Sequence, residues 1–329
     1  MERKASAQGT RAAAFMTIVA VFPGQGAQRV GMGRALYDAF PSARAVFAEV
    51  DEALGEPLSR LVFEGPEAEL TLTRNAQPAL FAVALAAVRA LESRIGRPFA
   101  EVVDWVAGHS LGEYAALAAA GALDVQDGAR LLRLRGEAMQ DAVPAREGAM
   151  AAILGLAPEV VAELAAQAAR GEVVELANDN AQGQAVVSGH REAVARAVAL
   201  ARERGAKRSV LLRVSAPFHC RLMRPAAERL AVALAEVSLR RPQVPLVANV
   251  TARPEQDPER IRELLVEQVT ARVRWRETMA WLRERGVRML VECGPGGVLA
   301  GLARRELPDA ERHALAEPED VERLAERLA

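Results

Sequence analysis

The sequence predicts an α/β fold in two unequal parts, a larger parallel-sheet domain interrupted by a smaller inserted one. Three observations carry that expectation. Short β-branched runs alternate with helical patterns in both flanks of the chain, the order a parallel sheet requires. A middle block, residues 146–213, changes rhythm to β-α-β-β-α-β. The chain has 329 residues, 51% of them hydrophobic, which is enough to fill one large core or two unequal ones.

The first strand is expected at residues 17–22 (TIVAVF), an apolar run closed by Pro23-Gly24. Helical patterns follow at about 33–53 and 78–94, the second with Asn75 and Pro78 as start signals. A strand at 102–107 runs into Gly108-His109-Ser110-Leu111-Gly112, then a helix to about Ala120 and another over 130–140. In the middle block strands are read at 149–154, 173–177, 185–188 and 209–213, with helices at 158–170 and 191–204. That is the ferredoxin-like order. Beyond it come a helix at about 221–236, a strand at 245–250, helices at 258–268 and 275–286, and a strand at 289–292. The charged tail from about 306 reads as a terminal helix with a solvated face.

Composition excludes several functions. With 42 Lys+Arg against 43 Asp+Glu the net charge is −1, and no basic block offers a nucleic-acid footprint. The longest apolar stretch, 78–88, is far short of the roughly 18 residues that cross a bilayer. Cys220 and Cys293 stand far apart without metal-ligand spacing, so neither a disulfide scaffold nor a zinc site is expected, and a reducing, cytoplasmic setting is. Residues 1–16 read as an N-terminal extension, basic and Ala-rich, without an apolar stretch of secretory length.

The chemistry begins at Gly108-His109-Ser110-Leu111-Gly112, a GxSxG between a strand and a helix. Its glycines permit a sharp turn that raises the Ser110 hydroxyl, and the helix N-terminus beneath supplies unpaired N–H groups for an oxyanion. Such a nucleophile needs a base. Of four histidines, His109 should point away from the hydroxyl, His190 reads as a helix-start residue and His313 lies in the charged tail. His219 follows Ala216-Pro217-Phe218, where the chain returns from the insert, and is the candidate base. Cys220 beside it reads as a packed thiol. No carboxylate presents itself as a third member, and an amide carbonyl would serve to hold the imidazole tautomer. In Pro23-Gly24-Gln25-Gly26-Ala27-Gln28, the Gln25 N–H is either an oxyanion donor or part of a plain tight turn.

Taken together these segments resemble the malonyl-CoA:acyl carrier protein transacylases of type II fatty acid synthesis, and the acyltransferase domains of polyketide synthases. The matches are Phe22-Pro23-Gly24-Gln25-Gly26-Ala27-Gln28, Gln77-Pro78-Ala79-Leu80, Gly108-His109-Ser110-Leu111-Gly112-Glu113-Tyr114 and Arg133-Leu134-Arg135-Gly136. They continue with Asn180, Gly183-Gln184, Ala216-Pro217-Phe218-His219-Cys220 and Glu292-Cys293-Gly294-Pro295-Gly296, in order over about residues 17–305. The resemblance implies an α/β-hydrolase-like catalytic domain over 17–145 plus 214–305, a ferredoxin-like insert over 146–213 and a helical tail over 306–329. It implies Ser110 as acylated nucleophile, His219 as base, and the Gln25 and Leu111 N–H groups as oxyanion hole. Arg135 would bind the malonyl carboxylate, with Gln77, Asn180 and Phe218 at the substrate, and the Gln268 carbonyl would orient the histidine. Without the resemblance Arg135 would read as a surface residue. The implied enzyme is a monomer without a tightly bound cofactor or metal, with malonyl-CoA as substrate and acyl carrier protein as partner. A malonyl-selective polyketide acyltransferase, or a serine hydrolase on the same core, are the rival enzymes.

Overall fold

A computed structural model describes residues 16–144, 146–212 and 214–328, so the expected N-terminal extension, Met16 apart, lies outside the described residues. Among the described residues ten strands form two sheets: β1 (Ile18–Phe22), β2 (Trp105–Gly108), β3 (Gly148–Leu154), β4 (Val174–Ala181), β5 (Gln184–His190), β6 (Arg208–Leu211), β7 (Leu246–Val247), β8 (Pro254–Glu255), β9 (Met289–Cys293) and β10 (Glu311–Leu315). The larger sheet runs in the order β10-β9-β1-β2-β7-β8. It is parallel except for β8, which pairs antiparallel at the edge.

β1 lies at its centre and every one of its residues is buried, as a continuous apolar run demands when both faces of a sheet are covered. Ile18, Ala20 and Phe22 join the core that holds the long helix Thr73–Ile95 and the helix Val125–Asp141. Val19 and Val21 face the other way, onto Trp275, Met279 and Leu282 of the helix Trp275–Glu284. This period of two is the strand's own geometry.

The smaller sheet is antiparallel, in the order β4-β5-β3-β6, and its chain order is strand, helix, strand, strand, helix, strand. Ala149, Ala151 and Ile153 of β3 pack on the helices Pro158–Ala169 and Arg191–Glu203. Met150, between them, turns to the larger core. β4 is tied back to the larger part: Asn178 bridges to Val273, and the buried Asp179 carboxylate takes both Nε and Nη2 of Arg276 at 2.9 Å.

Several expectations needed correction, among them the strand read at 245–250, which is only Leu246–Val247. The long helix starts at Thr73 rather than at Pro78. Pro78 sits inside it, just past the first turn, whose N–H groups have no intrahelical acceptor, so the ring forfeits a single bond of the ladder. The pattern over 33–53 is two helices, Arg34–Ala39 and Pro41–Leu54, because Pro41 starts a new one after the extended Phe40. The tail is not purely helical: residues 311–315 add β10 to the edge of the larger sheet before the helix Pro318–Leu328. An edge strand with charged residues facing solvent loses the alternation that betrays a strand. No helix among the described residues is long and apolar enough to cross a membrane.

Candidate active site

β2 ends at Gly108 and the chain turns through His109 and Ser110 into the helix Gly112–Ala119. The turn is tight enough to require its glycines. A Cβ on Gly108 would stand 1.9 Å from the Gly112 carbonyl carbon, and one on Gly112 would stand 2.2 Å from the Phe22 carbonyl oxygen. Ser110 itself is held at φ +54°, in the left-handed region that non-glycine residues seldom occupy. The result is a hydroxyl lifted at the carboxyl end of a central strand, over the helix N-terminus.

His219 enters from the loop after β6, also at a left-handed φ of +59°. Its Nε2 stands 2.8 Å from the Ser110 Oγ and its Nδ1 2.9 Å from the Gln268 carbonyl oxygen. A carbonyl only accepts, so the proton is on Nδ1 and Nε2 is free to take the serine proton. Burial, and after it the charge of Arg135, push the His219 pKa down to about 3. The imidazole is therefore neutral at any physiological pH.

Arg135 is one of the largest buried side chains, 2% exposed, reaching inward from the helix Val125–Asp141. Nη1 donates to the Gln77 Oε1 at 2.7 Å. Nη2 donates to the Gln268 Oε1 at 2.9 Å and to the Ser110 Oγ at 3.1 Å. Its Nε–H is buried without an acceptor among the described residues. A guanidinium with spare donors and no carboxylate touching it is a ready partner for an anion.

Ser110, His219 and Arg135 line a cavity of about 340 Å³ between the two sheets. Gln25 and Leu111 line it too, and among the described residues neither of their N–H groups finds an acceptor. Gln77 reaches it mainly as the partner of Arg135, and Phe218 and Met150 supply apolar wall. Asn180, on β4, holds His109: its Oδ1 lies 2.9 Å from the His109 Nε2, and that ring packs 5.5 Å from Trp275. His190 accepts the Val173 N–H at the start of a helix. His313 sits in β10, 3.2 Å from Glu311. Cys220 is buried with its thiol donating to the Pro217 carbonyl at 3.1 Å, and burial pushes its pKa up to about 11.

The acyl transferase domain family matches residues 19–322. The malonyl CoA-acyl carrier protein transacylase of Bacillus subtilis (strain 168) is 44% identical over 94% of this chain and 97% of its own. The crystal structure of the acyl-carrier-protein-S-malonyltransferase from Bartonella henselae superposes with a TM-score of 0.93 at 52% identity, covering 95% of this chain and 99% of that one. The chain belongs to the malonyl-CoA:acyl carrier protein transacylase family. It is an acyltransferase. A malonyl-transacylase solved in complex with a type II polyketide synthase acyl-carrier protein is also similar, at TM-score 0.91 and 42% identity over 94% of this chain and 99% of that one.

Two residues of this transacylase-family site went unassigned in the sequence. Glu113 and Asn249 are both buried, and the Asn249 N–H donates to the Glu113 Oε1 at 2.6 Å. Asn249 Oδ1 accepts the Ser110 N–H at 2.8 Å while its Nδ2 donates to the Gly108 carbonyl at 2.6 Å, clasping the turn from both sides. The Gln268 side chain also exceeds its expected part, since only its main-chain carbonyl was anticipated. The readable signal was Glu113, a lone acid opening an otherwise apolar helix (GEYAALAA). Asn249 carries no such mark.

Proposed function

We propose that the chain moves a malonyl group from malonyl-CoA to the phosphopantetheine thiol of acyl carrier protein through a covalent malonyl-Ser110 intermediate. His219 Nε2 takes the serine proton as Oγ attacks the thioester carbonyl, and the oxyanion forms toward the N–H groups of Gln25 and Leu111. The tetrahedral adduct collapses, and coenzyme A leaves with the proton from the imidazolium. The carrier thiol then gives its proton to His219, attacks the serine ester and departs with the malonyl group, returning the proton to Oγ. Arg135 holds the free carboxylate throughout, and Gln268 keeps the imidazole tautomer. Gln77, Asn180 and Phe218 shape the space around the acyl group.

The observation that carries this reading is the single line of contacts Gln268 O, His219, Ser110 Oγ and Arg135 Nη2, in which base and carboxylate receptor meet on one hydroxyl. The malonyl transfer named for the relatives supports it. We read residues 17–145 with 214–305 as an α/β-hydrolase-like catalytic domain, 146–213 as a ferredoxin-like insert and the rest of the tail as an addition to it; the order β4-β5-β3-β6 supports the middle assignment. The enzyme works as a cytoplasmic monomer of fatty acid synthesis without a tightly bound cofactor, a setting that suits its two buried free cysteines.

Intact-protein mass spectrometry after incubation with malonyl-CoA tests the reading. Wild type gains one malonyl group, loses it to added holo-carrier protein, and Ser110→Ala gains none. An unmodified wild type, or an adduct retained by Ser110→Ala, refutes it. The polyketide alternative is favoured by the carrier complex of the similar transacylase, and is separated by comparing fatty-acid and polyketide carrier proteins as acceptors.

A further inference from the structure

We infer that Glu113 is a positioning residue, the one buried carboxylate through which Asn249 and Gln268 set nucleophile, base and guanidinium in register. The inference rests on the function proposed above and extends it to a residue that touches neither substrate nor the reacting atoms.

Each oxygen of Glu113 accepts one N–H. Oε1 takes the Asn249 N–H at 2.6 Å, and Oε2 takes the Gln268 Nε2. Both neighbours can only donate at those atoms, so the two oxygens serve as acceptors, a role the carboxylate form fills best. Asn249 then clasps the Ser110 turn through its side chain. Gln268 does three things at once: its Nε2 also donates to the Ser110 carbonyl at 3.0 Å, its Oε1 accepts Arg135 Nη2 at 2.9 Å, and its main-chain carbonyl accepts His219 Nδ1 at 2.9 Å. The amide can face only one way. Turned over, it would set NH₂ against the Arg135 donor and oxygen against the Ser110 carbonyl. Glu113 selects that orientation and, one residue removed from the guanidinium, offers it an opposite charge without itself taking an Arg135 donor. Burial raises the Glu113 carboxyl above the usual carboxylate range, while its two N–H donors and Arg135 oppose the rise. Burial wins, and the carboxyl is pushed up to about 8; the N–H donors and Arg135 are what favour its charged form against that burial.

Glu113→Gln is nearly isosteric but presents one acceptor and an NH₂ where two acceptors stood, so either Asn249 or Gln268 loses its anchor. A fold-only role would lower the melting temperature and depress all acyl substrates alike. A positioning role acts through Arg135 and must alter selectivity. Expected in Glu113→Gln is a fall in kcat/KM for malonyl-CoA on the order of 100-fold, the scale of a misplaced reacting group. The malonyl-to-acetyl ratio drops by about tenfold, the size of one lost hydrogen bond to a charged group. In a Gln268→Ala background, which keeps the carbonyl for His219 but removes the amide, Glu113→Gln no longer changes that ratio. Gln268→Ala alone lowers it similarly, which keeps the test alive if Glu113→Gln does not fold. An unchanged ratio in either single variant, or an equal change in both backgrounds, overturns the inference. A wild-type enzyme that forms no malonyl-Ser110 refutes instead the function on which it rests.

Discussion

Arg135 Nη2 lies 3.1 Å from the Ser110 Oγ, on the same oxygen that His219 Nε2 approaches to 2.8 Å. One hydroxyl thus donates to a neutral imidazole while accepting from a guanidinium. The positive charge favours a developing alkoxide and disfavours a developing imidazolium, so in the proposed mechanism a substrate that neutralises it strengthens the base as it binds.

Selectivity follows from that geometry. If Arg135 holds the malonyl carboxylate as proposed, Arg135→Ala removes two charge-assisted hydrogen bonds, together worth about 2–4 kcal/mol, or roughly 30- to 1000-fold in kcat/KM. Acetyl-CoA, which lacks the carboxylate, suffers much less. Steady-state kinetics with both thioesters check this, and equal losses contradict it.

The pH dependence has a definite sign. His219, with its pKa lowered to about 3 by burial and then by Arg135, is already the neutral base well below the ordinary histidine value of about 6.5. Quenched-flow acylation rates are expected to pass through pH 6.5 without an acid limb. Arg135→Ala removes the second cause, so the limb, read with acetyl-CoA, moves up in pH. Stability shifts over the same window. The unfolded histidine takes a proton near pH 6.5 and the folded one resists until about pH 3, so this residue's contribution is present above 6.5 and is lost as pH falls between those values.

The tie between the sheets is also testable. The Asp179 side chain is fully buried against Arg276, and its pKa is raised by burial even though the guanidinium opposes the shift. Arg276→Ala leaves that carboxylate unpaired and costs about 2–4 kcal/mol near pH 8. A raised carboxyl recovers its stability once protonated, so the deficit shrinks toward pH 5. Urea titrations at the two pH values measure it, and a deficit independent of pH argues against the pairing.

Two glycines give opposite outcomes. Gly112→Ala drives a Cβ to 2.2 Å from the Phe22 carbonyl oxygen, backbone against backbone, with nothing free to yield. A loss above about 4 kcal/mol, or no folded protein, is expected. Gly301, inside the helix Val298–Glu306, has open space around its missing Cβ. Gly301→Ala should stabilise by about 0.5–1 kcal/mol. Calorimetry on both distinguishes steric need from tolerance.

Much of this architecture was legible in the sequence because it is local. β1, β2 and β9 announce themselves as apolar runs ended by glycine, and the alternating strands and helices of the middle block show in their rhythm. The turn at Ser110 shows as two glycines around a polar pair. What escaped is long-range or weakly patterned. β10 holds one buried residue, Leu315, among charged ones, and β8, two residues long and opening on Pro254, carries no strand pattern. Asn249 reaches Ser110 across 139 residues, a pairing that no window along the chain can display. Arg135 looks like any arginine of its helix until the core closes over it.

The separation along the chain has its own effect during synthesis. Ser110 leaves the ribosome 109 residues ahead of His219 and 158 ahead of the Gln268 amide. Until those arrive the hydroxyl is an ordinary alcohol, unable to draw on the cell's thioesters. On the proposed chemistry an unfinished polypeptide is inert, because the base and the amide that surround the hydroxyl belong to the distal third of the chain.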